Sequence, residues 1–301
     1  MNAGDATQFE IYRPLMFSIA YRMLGCATDA EDIVQEAYLR YQATAPGQIA
    51  SPKAFLTTVV TRLCLNQLRS ARTQRESYLG PWLPEPVLTG AEESFAPTQQ
   101  AELHETLSLA FLVLLEQLTA VERAVFLLRD VFDYDYAEIA VILGKTEAAC
   151  RQIFRRAKKH IATHRPRFKP TPEAHHQIFT QFLRAAGSGE LDGLLQLLAD
   201  DVTLWADSGG KVRGILRPLR GRDAVARFLL ASPQIPTEPY QPDIASVNGE
   251  PALILRAGAQ ARVVLSISID QGRIFAIWVI GNPDKLNWVN HPTHNSEEAT
   301  L

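Results

Sequence analysis

The stretch Tyr136-Ala-Glu-Ile-Ala-Val-Ile-Leu-Gly144-Lys-Thr146-Glu-Ala-Ala-Cys-Arg151, continued by Gln-Ile-Phe-Arg155-Arg156-Ala-Lys158-Lys159-His160, decides how this chain is read. Its apolar residues recur at helical spacing, stop at a glycine and resume after a threonine. Gly144 suits the left-handed residue that ends a helix. Thr146 suits the N-cap of the next, with Glu147 placed favourably in its first turn. The second helix then presents Arg151, Arg155, Lys158 and Lys159 along one face, with Arg156 beside them. A short apolar helix, a tight turn and a basic helix together form the pattern of a helix-turn-helix. Such a helix meets phosphates and base edges in a major groove. Residues 151–169 hold eight Lys or Arg and no acid, although the 301-residue chain has a net charge of −3. The positive charge is therefore local, and it points to DNA.

A chain of this length is expected to hold two or three domains. Its composition, 47% hydrophobic and 21% charged, is that of ordinary globular cores. Cys26, Cys64 and Cys150 are odd in number and lie far apart in apolar helical settings. This fits neither a disulfide framework nor a zinc site. No leader pattern and no membrane-spanning apolar run is present, so a cytoplasmic protein is expected.

Residues 1–75 read as a helical domain. Phe9, Leu15, Met16, Ile19 and Met23 recur at helical spacing, and Gly25 can end that helix. Thr28-Asp-Ala-Glu31 is a capping-box pattern predicting the start of the next. Ser51-Pro52 supplies an N-cap and a first-turn proline for a third. Residues 76–104, with Gly80, Pro81, Pro84, Pro86 and Gly90, read as a flexible linker. Residues 105–169 form the second helical block, in which Thr119-Ala-Val-Glu122 is another capping box. From 170 to 290 the pattern is helices first, then strands with period two. Val263, Leu265, Ile267 and Ile269 alternate with Val264, Ser266 and Ser268. Asn248-Gly249 and Asp270-Gln-Gly272 mark hairpins. Residues 291–301 are a tail. The fold class is thus multidomain: two all-α domains, the second with a helix-turn-helix, followed by an α+β domain.

Two further helices carry opposite charge. Asp29, Glu31, Asp32 and Glu36 make the second helix acidic, which suits a protein-binding face. The third is basic and rich in amides and hydroxyls: Arg62, Asn66, Arg69, Arg72 and Arg75. Those residue types suit a nucleic-acid backbone together with base edges.

This order of modules resembles the extracytoplasmic-function class of bacterial sigma factors. The resemblance rests on Asp29-Ala-Glu-Asp-Ile-Val-Gln-Glu-Ala37, on Ala54-Phe-Leu-Thr-Thr-Val-Val-Thr-Arg-Leu-Cys-Leu-Asn-Gln-Leu-Arg69, and on Leu118-Thr-Ala-Val-Glu-Arg-Ala-Val-Phe126 with the helix-turn-helix. It covers about residues 9–165. It implies that Asp29, Asp32, Gln35 and Glu36 face core RNA polymerase. Arg62, Asn66, Arg69, Arg72 and Arg75 would engage the melted −10 strand. Thr146, Arg151, Arg155, Arg156, Lys158 and Lys159 would meet the −35 duplex.

Residues 171–290 resemble a SnoaL-like domain, a cone-shaped α+β barrel with a pocket. Two loops are similar to signatures of the sigma-J-like group, in which such a domain is fused as a built-in regulator. These are Asp207-Ser-Gly209-Gly210-Lys211 and Asn282-Pro283-Asp284-Lys285-Leu286, implied to make intramolecular contact with the sigma domains. Ser208 stands where the group has glycine, and serine is strained at positive φ. No catalytic residue, cofactor or metal is expected, because no acid sits amid an apolar strand where burial would raise its pKa, and a small-molecule ligand of the barrel is a further partner class. The alternative is a helix-turn-helix regulator with a ligand-binding or catalytic barrel. For catalysis the candidates are Asp207, Asp270, His175 and His176. His291 and His294 could join the two earlier histidines in a weak metal site.

Overall fold

A computed structural model describes residues 3–45, 47–76, 78–89, 106–164, 170–231 and 240–290. Side chains are described for fewer of these, excluding 3–7, 71–76 and 164. The chain divides into two compact units, residues 1–77 with 111–165, and residues 78–110 with 166–301.

The first unit is all-α. Helices α1 (Ala3–Leu24), α2 (Ala27–Ala43) and α3 (Pro52–Glu76) form its first bundle. Phe9, Met16, Ile19 and Met23 of α1 are buried with Ile33, Val34 and Ala37 of α2 and Leu56, Val60 and Cys64 of α3. Gly25 ends α1 at φ 68°, as expected. The expected capping box at Thr28 does not start α2. Cys26 does, its sulfur accepting from the Asp29 N–H, and Glu31 is engaged by Arg13 at 2.8 Å. With Gly25 left-handed, Cys26 is the first extended residue, so the helix begins two residues earlier. Ser51 caps α3 as predicted, accepting from the Ala54 N–H.

Helices α4 (Leu109–Glu116), α5 (Ala120–Phe126), α6 (Tyr136–Leu143) and α7 (Glu147–His164) follow, with a π-helical turn at Leu127–Val131 between α5 and α6. Thr119 and Glu122 form the predicted capping box. Asp135 and Glu138 form a second at the start of α6. Val125, Leu128, Tyr134, Ile139, Ile142 and Cys150 make the core of the helix-turn-helix.

The second unit begins with α8 (Pro172–Ser188), capped by Thr171 as expected, and α9 (Leu191–Leu197). Strands β1 (Leu198–Asp207) and β2 (Leu219–Arg220), helix α10 (Arg222–Ala231) and strands β3 (Gln241–Val247), β4 (Glu250–Ala257), β5 (Gln260–Asp270) and β6 (Arg273–Ile280) follow. A 3-10 turn, Pro283–Lys285, and α11 (Asn287–Asn290) close it. The sheet order is β2-β1-β6-β5-β4-β3, with β1 and β6 parallel and the other pairs antiparallel.

Helices α8 to α10 cover one face of the sheet: Phe179, Phe182, Leu194 and Val225 meet Leu204, Ile267, Ile269 and Ile277. A register irregularity at Ser268/Ile269 also turns Ile274 toward this core. The opposite face, with Val264, Ser266, Ser268, Trp278 and Ile280, is buried as well. A cavity of about 200 Å³ is lined by Gln181 and Arg184 of α8, Gln196 of α9 and Glu190 between them, on the helical side and not on the sheet. The predicted helices-then-sheet order holds.

Candidate functional site

In the helix-turn-helix, Gly144 adopts φ 62° and its N–H bonds back to the end of α6. Thr146 caps α7 by accepting from the Ala149 N–H. Its role is thus to set the angle of α7. Of the basic residues on α7, Arg155 and Lys159 are exposed and have no partner among the described residues. Arg151 bonds Glu147 at 2.6 Å and lies over Tyr136, Lys158 reaches Asp130 at 3.3 Å, and Arg156 lies 3.6 Å from Glu122. Exposed pairs of this kind are worth about 0–1 kcal/mol, so phosphates can replace them. The face is open to a polyanion.

On α3, Asn66 and Arg69 are exposed. Arg62 is otherwise engaged: its Nε donates to the Ile142 carbonyl at 2.9 Å and its Nη2 to Val141 at 3.3 Å, at the C-terminal end of α6. A guanidinium at a helix C-terminus satisfies carbonyls that have no helical partner. Close by, the Thr57 and Tyr134 hydroxyls pair at 2.8 Å, and burial pushes the Tyr134 phenol up. The side chains of Arg72 and Arg75 lie outside the described residues. Burial raises the Cys64 and Cys150 thiols, which leaves them protonated packing groups.

On α2, Asp32 and Gln35 are exposed and Asp29 and Glu36 half-buried. Asp32, Gln35 and Glu36 share a face with Leu39, which is 54% exposed. An uncovered leucine among acids is a signal that charge reading alone missed.

The two loops of the second unit meet at the end of β1. Asp207 is 1% exposed and Lys285 6%, and they pair at 2.7 Å. The remaining acceptor capacity of Asp207 is filled by the Leu83 N–H at 2.8 Å, the Gly209 N–H at 3.1 Å and the Tyr78 hydroxyl. Lys285 also donates to the Leu83 carbonyl and lies 4.0 Å over the Trp82 ring and 5.0 Å over that of Tyr78. Asn282 donates to the Tyr78 oxygen at 2.8 Å. Burial, then the bond to Asp207, pushes the Tyr78 phenol well above its ordinary value. Gly209 has φ 56°, and a Cβ there would lie 2.4 Å from Asn282 Nδ2. A Cβ at Gly210 would lie 2.6 Å from Leu79. Ser208 is buried and is absent from the positive-φ residues, so serine fits this position without strain. Lys211 pairs with Asp284 at the surface, Pro283 is exposed and Leu286 is buried.

The predicted regulatory residues therefore converge, and they converge on the segment read as a flexible linker. Residues 78–89 instead run extended against the α+β domain; 90–104 lie outside the described residues. Leu88 bridges Val247 at the edge strand β3, Thr89 N–H donates to Ser246, and Asn248 bonds Val87 on both backbone and side chain. Prolines without N–H groups suit an edge contact of this kind. Tyr78, Trp82, Leu83 and Asn248 are the site residues that sequence reading missed. Two aromatic residues in a proline-rich stretch were the available signal, since a solvated linker has no use for them. His291 and His294 lie outside the described residues.

Comparison with known proteins agrees with this anatomy. The Sigma-70 region 2 family matches residues 8–74, and the Sigma-70, region 4 family matches residues 108–161. The ECF RNA polymerase sigma factor SigJ of Mycobacterium tuberculosis is 40% identical over 296 residues, covering 93% of both chains. The probable ECF RNA polymerase sigma factor SigI of the same organism is 31% identical, covering 92% of both. A crystal structure of M. tuberculosis SigJ superimposes with a TM-score of 0.74 at 38% identity, over 93% of this chain and 97% of that one. The helix-turn-helix, the acidic and basic helices and the C-terminal α+β domain thus have one common explanation: the chain belongs to the extracytoplasmic-function family of RNA polymerase sigma factors, with an α+β domain following the sigma regions.

Proposed function

We propose that this chain binds core RNA polymerase, directs it to promoters in the cytoplasm, and is tuned by its own C-terminal domain. The face of α2 formed by Asp32, Gln35, Glu36 and Leu39, with Asp29 at its start, is the polymerase contact. Asn66, Arg69, Arg72 and Arg75 engage the melted −10 strand, while Arg62 is held by the Ile142 and Val141 carbonyls of α6. Arg151, Arg155, Arg156, Lys158 and Lys159 meet the −35 duplex, with Thr146 setting the angle of α7. The observation that carries the regulatory part is the Asp207–Lys285 pair closed on Tyr78, Trp82 and Leu83. A domain that holds the segment between two DNA-reading modules controls how far apart those modules can reach. We assign the domain no catalytic step. Asp207, the acid at a strand end, is satisfied by four donors and has no open position for a substrate proton.

The test is binding to core polymerase, comparing the full chain with one ending at Lys169. Both are expected to bind, with different promoter output. Asp32→Lys should weaken binding without changing the helix content. If neither chain binds core polymerase, the reading fails.

A further inference from the structure

The loop joining β1 to α10 carries a charge pattern that the sigma anatomy does not use. Lys211-Val-Arg213-Gly-Ile-Leu-Arg217-Pro-Leu-Arg220-Gly-Arg222 holds five Lys or Arg in twelve residues and no acid. Its two ends are occupied: Lys211 pairs with Asp284, and Arg222 pairs with Asp200 at 2.9 Å. The side chains of Arg213, Arg217 and Arg220 are exposed and have no ion pair or hydrogen bond among the described residues.

A fourth guanidinium, unpaired among the described residues, comes from another element. Arg262 is exposed near the start of β5. Its backbone sits beside the loop: a Cβ built on Gly281 would lie 3.8 Å from the Arg262 carbonyl and 3.5 Å from Val212. The loop is fixed at both ends. Lys211 N–H donates to Ser208 at 2.9 Å, β2 pairs Leu219 and Arg220 with Leu204 and Thr203, and Gly221 N–H donates to Val202 at 2.9 Å. The arginines are therefore held on a short anchored span and not on a free tail.

We propose that Arg213, Arg217 and Arg220, with Arg262 beside them, form a third nucleic-acid contact that grips duplex phosphates without reading sequence. This rests on the reading of the chain as a DNA-binding sigma factor and adds a surface in the fused domain. Asp200 and Asp284 engage only the two ends of the loop, so the like charges between them repel one another, and a polyanion relieves that repulsion. Guanidinium forks match phosphate oxygens in pairs, and nothing in this loop offers the hydrogen-bond acceptors that reading base edges also uses. Once two other modules hold DNA, further phosphates are presented at high effective concentration, so even weak contacts count.

The experiment measures affinity of the full chain bound to core polymerase for a promoter duplex and a scrambled duplex of equal length, across a salt series. The variants are Arg213→Ala/Arg217→Ala/Arg220→Ala and the matching triple Lys substitution. The alanine variant is expected to lose affinity on both duplexes by a similar factor. Its plot of log K against log salt should flatten by about 2–3, from roughly 0.9 per phosphate contact. The lysine variant should keep most of the slope, which separates charge from folding. An unchanged slope in the alanine variant overturns the proposal while leaving the sigma reading intact. Weakened binding to core polymerase at unchanged slope also overturns it, in favour of an acidic protein surface. If the unsubstituted complex binds no duplex at all, the sigma reading fails and takes this proposal with it.

Discussion

Lys285 is the side chain on which the second unit's motifs depend. Its ammonium is buried between a carboxylate, a carbonyl and two aromatic rings. A buried pair is costly to assemble but far costlier to break. Lys285→Met leaves Asp207 uncompensated and is expected to cost about 3–5 kcal/mol, read from urea unfolding of the full chain. Tyr78 gives the same cluster a pH dependence of known sign. Its phenol is raised in the folded chain, so the folded state holds the proton more tightly than the unfolded one. Its contribution is complete below the ordinary phenol value near 10 and is lost as pH rises beyond it. Stability should therefore fall above about pH 10 less steeply in Tyr78→Phe than in the parent, as followed by thermal unfolding. The sequence pointed to Lys285 and Asp207 through their loops. It did not pair them, because 78 positions separate them and each loop alone looks like a turn.

Secondary-structure elements were the most legible level. Gly144, Thr119, Thr146 and Thr171 act where their local chemistry places them, because a cap is satisfied within a turn of its own helix. Asp135→Ala should destabilise the first unit by about 1 kcal/mol through loss of the α6 cap, seen as a lowered urea midpoint. The misread cap at Thr28 shows the limit. Cys26, two residues upstream, caps α2 in its place, and Glu31 meets the distant Arg13. The strands tell the same story: alternation identified them, and a register irregularity between β5 and β6 chose which face Ile274 joined.

At the scale of the molecule, the segment between the sigma modules belongs with the α+β domain and not with the bundle on either side of it in sequence. Removing residues 170–301 strips residues 78–89 of Asp207, Lys285 and the β3 edge together. Limited proteolysis should then cut within 78–89 in the shortened chain and spare it in the full one; equal cutting would show that the domain does not hold it.

The sequence alone determined the modules, their order and the sign of charge on α2, α3 and α7. Those properties come from periodicity, caps and local composition, all written within a few turns of chain. Only the tertiary structure decided what the prolines and aromatics at 78–86 are for, and which carboxylate Lys285 meets. Only it showed that Arg62 caps the carbonyls of α6 and that Arg213, Arg217 and Arg220 have no side-chain partner among the described residues. The reason is that these depend on groups from remote parts of the chain meeting in one place, and a single sequence carries no record of distance.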